Sequence, residues 1–273
     1  FIGPLDDMTA NLAVAYSLRR LLSSYEGPAI RARNDSDTEA DIGFESDGTL
    51  DTTALTNLAG PEGNAYVVTW YDQSGNAQDG AQSDTSKQPR IVDTGVVDPL
   101  GIRYVKTGSN SIVVPDSDTV SLGADTAFTH LSWSRYLNAV DRVWLISKGT
   151  GGGPQTEEYT LDVQDDVFNL FVGNGTTGTN VETGTARSAD HWYYVACQHS
   201  ASGDQISVNY DDGTPATAAW SGGTFNNSSD LVLGAYSGGA FFLDGYFNEF
   251  ILWKRALSGA NLTTLYGLGP PVP

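Results

Sequence analysis

Apolar and polar positions alternate with a short period along most of this chain, and one run stands out. Tyr66 to Tyr71 (Tyr-Val-Val-Thr-Trp-Tyr) is an unbroken series of β-branched and aromatic residues, which predicts a buried strand. Asp72-Gln73-Ser74-Gly75-Asn76 follows it and is made entirely of turn formers. Upstream, Ala29 to Arg33 alternates small apolar with basic residues, and Ile42 and Phe44 alternate likewise, so both predict half-buried strands. Asp51 ahead of Leu55 and Leu58, with Gly60 behind them, predicts a short capped helix leading into the central run. Earlier still, Val14, Leu18, Leu21, Leu22 and Tyr25 recur at helical spacing. Thr9 or Asn11 can cap the start and Gly27-Pro28 stops the run, which predicts one amphipathic helix with Arg19 and Arg20 late in it.

Beyond Gly75 a polar loop leads to Gln88–Val92, a short strand whose Pro89 places it at an edge or a strand start. From Ile102 the texture becomes one strand after another: Ile102–Val105, Ser111–Val114, Phe128–Tyr136, Val143–Ser147, Tyr159–Val163 and Val167–Val172. Turns such as Gly151-Gly152-Gly153-Pro154 separate them. His191–Ala196, Gln205–Tyr210 (closed by Asp211-Asp212-Gly213), Leu233–Phe241 and the strand carrying Phe247, Phe250 and Leu252 complete the series. Leu257, Leu262 and Leu265 fit a closing helix, and Pro270, Pro271 and Pro273 an extended tail. No period of 20 to 50 residues marks a repeat array. The pattern predicts an all-β chain with one N-terminal helix and a few helical turns.

Composition narrows the partners. The 273 residues hold 14 Lys and Arg against 33 Asp and Glu, a formal charge of −19, so phosphate-rich surfaces are repelled and nucleic acid is excluded as a partner. Clustered carboxylates suit calcium, which makes Ca2+ a candidate cofactor, and they equally suit solubility in salt. Six Trp and thirteen Tyr in a Gly-, Ser-, Thr- and Asn-rich chain favour strands and turns. The single cysteine, Cys197, allows no internal disulfide and alternates with polar neighbours as a core residue does. No stretch approaches 18 apolar residues, so membrane insertion is not expected, and Phe1-Ile2-Gly3-Pro4 carries no visible address.

Trp70 and Tyr71 beside Asp72, Gln73 and Ser74 put two large rings next to a carboxylate, an amide and a hydroxyl, the mixture a sugar site needs. The same residues are also ordinary hairpin chemistry, with Asp72 bonding its own backbone. His130, His191 and His199 form no metal-ligand pair, and the Gly151–Gly153 run lacks the Lys-Ser/Thr of a phosphate loop. Asn-x-Ser/Thr sequons such as those at Asn34, Asn174 and Asn261 carry little weight in so polar a chain.

Two resemblances organise these pieces. Ala15-Tyr16-Ser17-Leu18-Arg19, Ser24-Tyr25, Ile30-Arg31-Ala32-Arg33, Asp41-Ile42 and Trp70 to Asn76, in that order, resemble the start of the fungal α-L-arabinofuranosidase B catalytic domain, an opening shared with marine phage and other viral proteins. The run from His191-Trp192 through Asp244-Gly245-Tyr246-Phe247-Asn248-Glu249-Phe250 to Leu265-Tyr266 is similar to the laminin-G-like, concanavalin A-type jelly roll. Together they imply one concanavalin-like β-sandwich over residues 1–267, with a proline-rich tail at 268–273. The first resemblance further implies a nucleophilic Glu within Asp162-Val163-Gln164-Asp165-Asp166-Val167-Phe168, but that position holds Gln164, whose amide is no nucleophile. Asp165, one step on, is turned to the opposite face by strand alternation. The family's acid/base Asp finds no carboxylate within Leu233-Gly234-Ala235-Tyr236-Ser237-Gly238-Gly239, and its paired cysteines are absent. Asp162 survives as the family's ligand carboxylate and Asp165 as its Asn counterpart; a plain hairpin tip at 164–166 is the alternative reading.

The expectation is therefore a non-catalytic, concanavalin-like surface module of a bacteriophage virion or other extracellular setting, binding host cell-surface polysaccharide through Trp70, Tyr71, Asp72, Gln73, Asp162, Gln164, Asp165 and Tyr236. No catalytic residue is assigned. The alternatives are an arabinofuranosidase-like glycoside hydrolase and a purely structural virion protein, held to other virion proteins or to copies of itself.

Overall fold

The computed structural model describes residues 1–273 apart from 125, 138–141, 152, 154, 185–187, 201–203 and 212. The predicted turn residues Gly152, Pro154 and Asp212 therefore lie outside the described residues. The first hundred residues supply β1 (Leu12–Ser17), β2 (Ile30–Asn34), β3 (Glu39–Ile42), α1 (Thr52–Ala59), β4 (Ala65–Trp70), β5 (Gly80–Ala81), β6 (Arg90–Asp93) and β7 (Val96–Val97). Next come β8 (Arg103–Tyr104), β9 (Ile112–Val114), β10 (Phe128–Tyr136), β11 (Val143–Gly149), β12 (Glu157–Gln164), β13 (Val167–Gly173) and β14 (Gly178–Glu182). The chain closes with β15 (Tyr193–Ser200), β16 (Gln205–Tyr210), β17 (Ala216–Ala219), β18 (Leu231–Leu233), β19 (Gly245–Trp253) and α2 (Gly259–Tyr266).

Every described pairing is antiparallel, and the pairings separate into two layers. One runs β1-β19-β10-β15-β16-β17. The other runs β3-β2-β4-β5-β9-β18-β11-β12-β13-β14. Short β8 ties them, pairing with β19 on one side and β6 on the other. Between the layers lies one apolar cluster to which both the first hundred residues and the remainder contribute, from Val14, Ile30 and Trp70 to Phe168, Phe250 and Leu252. A second cluster covers the outer face of β1, β19 and β10, where Leu131, Trp133, Ile251 and Trp253 meet Leu262 and Leu265 of α2. That double coverage explains why all nine residues of β19 are buried. Cys197 is buried in the inner cluster, as its neighbours predict.

The predicted helix over Val14–Tyr25 is not formed. Residues 12–17 are a strand buried at all six positions and paired with β19, and the chain from Leu18 to Tyr25 is irregular. A 3.6-residue spacing of leucines cannot distinguish a helix stripe from a strand sandwiched on both faces and followed by anchored loop. What decides between them is distant. The backbone groups that a helix would pair internally are instead taken by the turn after β4: Ala15 N–H donates to Asp72 Oδ1 (2.9 Å), Leu21 N–H donates to Gln73 Oε1 (2.8 Å), and Gln73 Nε2 donates to the carbonyls of Ser17 and Arg19 (3.1 Å each). By contrast α1 forms where expected, with Asp51 accepting from Ala54 N–H at 2.8 Å as its cap. Leu233–Phe241 is strand only at its start; beyond it, Tyr236 and Ala240 form an isolated bridge.

Candidate functional site

On β12, Tyr159, Leu161 and Val163 face the core, so Thr160 and Asp162 belong to the opposite face of the layer. β11 and β13 obey the same alternation: Trp144 lies between core residues Val143 and Leu145, while Asn169 and Phe171 alternate with Phe168 and Leu170. The register sets Trp144 opposite Asp162, and Asp162 opposite Asn169. Over this face Arg142, Trp144, Glu157, Thr160, Asn169, Phe171, Asn180, Tyr236 and Phe241 enclose a cleft of about 400 Å³.

Aromatic rings form one wall. The Trp144 ring centroid lies 4.8 Å from that of Tyr236 and 4.9 Å from that of Phe241, and the Arg142 guanidinium lies over the indole at 4.0 Å. Phe241 adopts a positive φ of 54° and is about half exposed, which leaves a large apolar ring at the rim. Tyr236 donates its hydroxyl to Glu157 Oε1 at 2.7 Å; its own burial and that carboxylate push the phenol up to about 12, so it is a donor at neutral pH. Polar groups form the floor. Asp162 is wholly buried and accepts from Arg142 through both oxygens (2.9 and 3.1 Å) and from Asn169 Nδ2 (3.3 Å). Burial raises its carboxyl, and the guanidinium pulls it back down.

Two polar atoms in this lining have no protein partner among the described residues: the Trp144 indole N–H, and Asn169 Oδ1. One is a donor and one an acceptor, both buried, beside a stacking surface. An unpartnered buried polar atom is costly unless something else satisfies it. A polyhydroxylated ring, with an apolar face of C–H bonds and hydroxyls that both donate and accept, suits the aromatic wall and meets these two atoms once the rim side chains shift to uncover them.

The expected residues fall in three places. Tyr236 lines the cleft and Asp162 lies beneath it, braced against Arg142. Gln164 and Asp165 are exposed at the end of the β12–β13 hairpin: Gln164 pairs with Val167, and Asp165 and Asp166, at φ 50° and 62°, make a two-residue turn with both centres in the left-handed region. Neither lines the cleft. In the third group, at the end of β4, Trp70, Asp72 and Gln73 require correction. Trp70 is fully buried between Tyr16 and Phe247 (ring centroids 5.8 and 6.3 Å), so no sugar can stack on it. Asp72 is spent on Ala15 N–H, Ser74 N–H, Ser74 Oγ and Gln78 N–H, and Gln73 on the loop after β1. Tyr71 is partly exposed but donates its hydroxyl to Asp41 at 2.8 Å, which Arg31 also holds with two bonds. The polar turn after the central strand is an architectural pin. Arg142, Trp144, Glu157, Asn169, Phe171, Asn180 and Phe241 went unforeseen, although the alternation Val143-Trp144-Leu145 already put a tryptophan on the face away from the core.

Two further observations bear on chemistry. The described residues contain no group of three His, Cys, Asp or Glu side chains able to hold a metal ion. A cage of oxygens does exist near β9, from Asp116, Asn227, the Ser229 carbonyl and Glu158, but the buried ammonium of Lys148 occupies it, 2.7 Å from Asp116 Oδ1 and 3.9 Å from Glu158 Oε2. No helix among the described residues is long and apolar enough to cross a membrane.

Comparison with known proteins supplies the family. A family described as the concanavalin A-like lectin/glucanases superfamily matches residues 106–263, more than half the chain. The chain belongs to this superfamily. No curated protein sequence matches it. Among solved structures, a GH54 α-L-arabinofuranosidase soaked with a cyclic sulfate inhibitor superposes with a TM-score of 0.74 at 13% identity, and an arabinofuranosidase complexed with arabinofuranosyl-α-1,2-xylobiose with 0.71 at 14%. Both cover 100% of this chain, which spans 66% of the length of each. The ligand-binding domain of Botulinum neurotoxin serotype D, solved with N-acetylneuraminic acid, has a TM-score of 0.57 at 10% identity, covering 73% of this chain and 48% of its own. At these identities the likeness is one of fold, and the concanavalin-like fold hosts both enzymes and binding domains.

Proposed function

We propose that this concanavalin-like module recognises carbohydrate without cleaving it, in the cleft over β11, β12 and β13. The observation that carries the reading is the coincidence of the Trp144–Tyr236–Phe241 wall with the unpartnered Trp144 N–H and Asn169 Oδ1 in one 400 Å³ cleft. The cleft suits a neutral sugar, because its cation, Arg142, is already held by both oxygens of Asp162. The same pair argues against hydrolysis. A retaining glycosidase needs a free carboxylate nucleophile about 5 to 5.5 Å from an acid/base partner. Asp162 is locked in an ion pair, Glu157 accepts from Tyr236, and Gln164 stands where the resemblance puts the nucleophile.

The setting we propose is a virion surface or another extracellular one, with host cell-surface polysaccharide as target. What supports it is the likeness of the opening third to marine phage proteins and an acidic surface suited to saline water. A glycan array followed by calorimetry tests the reading, with and without calcium. Binding should fall at least tenfold in Trp144→Ala and in Tyr236→Ala, and Trp144→Phe, which keeps the stacking face and loses the N–H, should lie between. Release of free pentose or oligosaccharide by the purified protein would instead make it an enzyme.

A further inference from the structure

A second pocket lies elsewhere, sharing no lining residue with the cleft. Cross-strand register sets Arg33 opposite Tyr66, Tyr66 opposite Arg90, and Arg90 opposite Arg103; the row continues through Tyr246 to Arg135. In a chain with 14 Lys and Arg against 33 acids, four arginines thus share one line across the strands. At one end of that line Arg33, Tyr66 and Arg90 enclose a pocket of about 390 Å³ with Asp35, Thr85, Ser86, Gln88, Val105 and Asn110.

Most of this lining is satisfied from within. Arg33, largely buried over the Tyr66 ring at 5.1 Å, donates to Gln88 Oε1 (2.8 Å), the Asn34 carbonyl (3.1 Å) and Asp37 Oδ1 (2.7 Å). Gln88 donates onward to the Gln82 carbonyl, Asn110 Oδ1 accepts from Val105 N–H, and Asp35 accepts from Asn64. Arg90 differs. It has an ion contact with Asp93 at 2.8 Å, yet its Nε is buried and finds no acceptor among the described residues. Asp37 and Asp93, with side chains 78% and 49% exposed, can swing into solvent and yield their places.

We infer that this pocket binds the anionic group of an acidic saccharide, with Arg90 as the primary contact, Arg33 as the supporting charge and the partly exposed Tyr66 ring as a stacking surface. With Asp93 swung away and the guanidinium edge uncovered, a carboxylate or a sulfate ester supplies the acceptor that Arg90 Nε lacks, and that edge matches either geometrically. Because the molecule as a whole repels anions, with Asp35 in the lining and Asp37 and Asp93 on the two arginines, the attraction is confined to the guanidinium groups of Arg90 and Arg33 once those carboxylates give way, and owes nothing to long-range steering.

Calorimetry with three probes tests it: an oligogalacturonate, a sulfated galactan fragment and a neutral galactose oligomer. Two variants accompany them, Arg90→Gln and Ser86→Glu; the latter sets a negative charge at the exposed mouth without touching the strands and remains usable if Arg90→Gln folds poorly. Saturable binding of an acidic probe, weakened at least tenfold by either variant while neutral-oligomer affinity is unchanged, supports the inference, and the tighter acidic probe identifies the anion as carboxylate or sulfate. Absence of saturable acidic binding, or acidic affinity equal in wild type and variants, overturns it.

Discussion

Replacing Gln73 with leucine tests whether the polar turn after β4 is a pin or a ligand site. Gln73 is 1% exposed and makes three side-chain hydrogen bonds, accepting from Leu21 N–H and donating to the carbonyls of Ser17 and Arg19. Leucine has similar bulk and can form none of them. Ser17 and Leu21 are fully buried, so two backbone groups lose their partner where water cannot replace it; Arg19 is partly exposed and its carbonyl can be rehydrated. Each buried, unsatisfied group costs about 1–3 kcal/mol and the rehydrated bond about 1, giving roughly 4 kcal/mol in total. Out of a typical total of about 5–15 kcal/mol this is severe. At about 2–4 °C per kcal/mol for a chain of this size or slightly smaller, the melting temperature should drop on the order of 10 °C. Urea denaturation gives the free energy, and calorimetric titration of the folded variant with an array-identified glycan should show unchanged affinity. A melting temperature within 2 °C of wild type, combined with lost glycan binding, would refute the assignment and return the turn to the list of sugar contacts.

Other expectations follow from single contacts. Arg142→Gln strands the buried Asp162 carboxylate; because Arg142 itself is 37% exposed, the loss should be about 2 kcal/mol, below the usual cost of breaking a buried pair, and Arg142→Gln with Asp162→Asn should recover part of it in a double-mutant cycle. Burial pushes the Glu158 carboxyl up to about 7, against the pulls of Leu122 N–H and Lys148. The folded state therefore holds that proton more tightly than the unfolded chain does: its contribution is fully present below pH 4.5 and is lost as pH rises to about 7, on the order of 3 kcal/mol, and Glu158→Gln should flatten this part of the stability profile. Gly101 has φ +93° and a Cβ there would sit 2.3 Å from Asn248 Nδ2, whose amide also holds the Leu100 and Pro271 carbonyls; Gly101→Ala should cost at least about 2 kcal/mol by denaturation.

How much of this was visible beforehand depends on the range of the interaction that decides each element. β10, β12, β13 and α1 were legible because alternation sits inside the element or a cap residue directly precedes it. β1 was not, since its strand partner β19 lies 232 or more residues on, and the side chains that hold Ala15 and the following Leu21 lie 57 and 52 residues away in Asp72 and Gln73. The same distance misled the reading of the turn: its carboxylate and amide are the right groups for a sugar, and nothing local says they are already engaged. The cleft draws residues from 142 to 241 into one wall, and only register brings Trp144, Asp162 and Asn169 side by side. Asp162 and Tyr236 were named through a resemblance that also pointed to Gln164 and Asp165, which a left-handed two-residue turn carries to the exposed hairpin tip.

The central claim rests most directly on the Trp144 indole. Titrating 15N-labelled protein with an array-identified oligosaccharide should shift the Trp144 Nε1–H and Asn169 side-chain resonances saturably, leave the Trp70 indole in place, and yield no cleaved sugar after prolonged incubation. An unmoved Trp144 indole during saturable binding, or the appearance of hydrolysis products, would contradict the account.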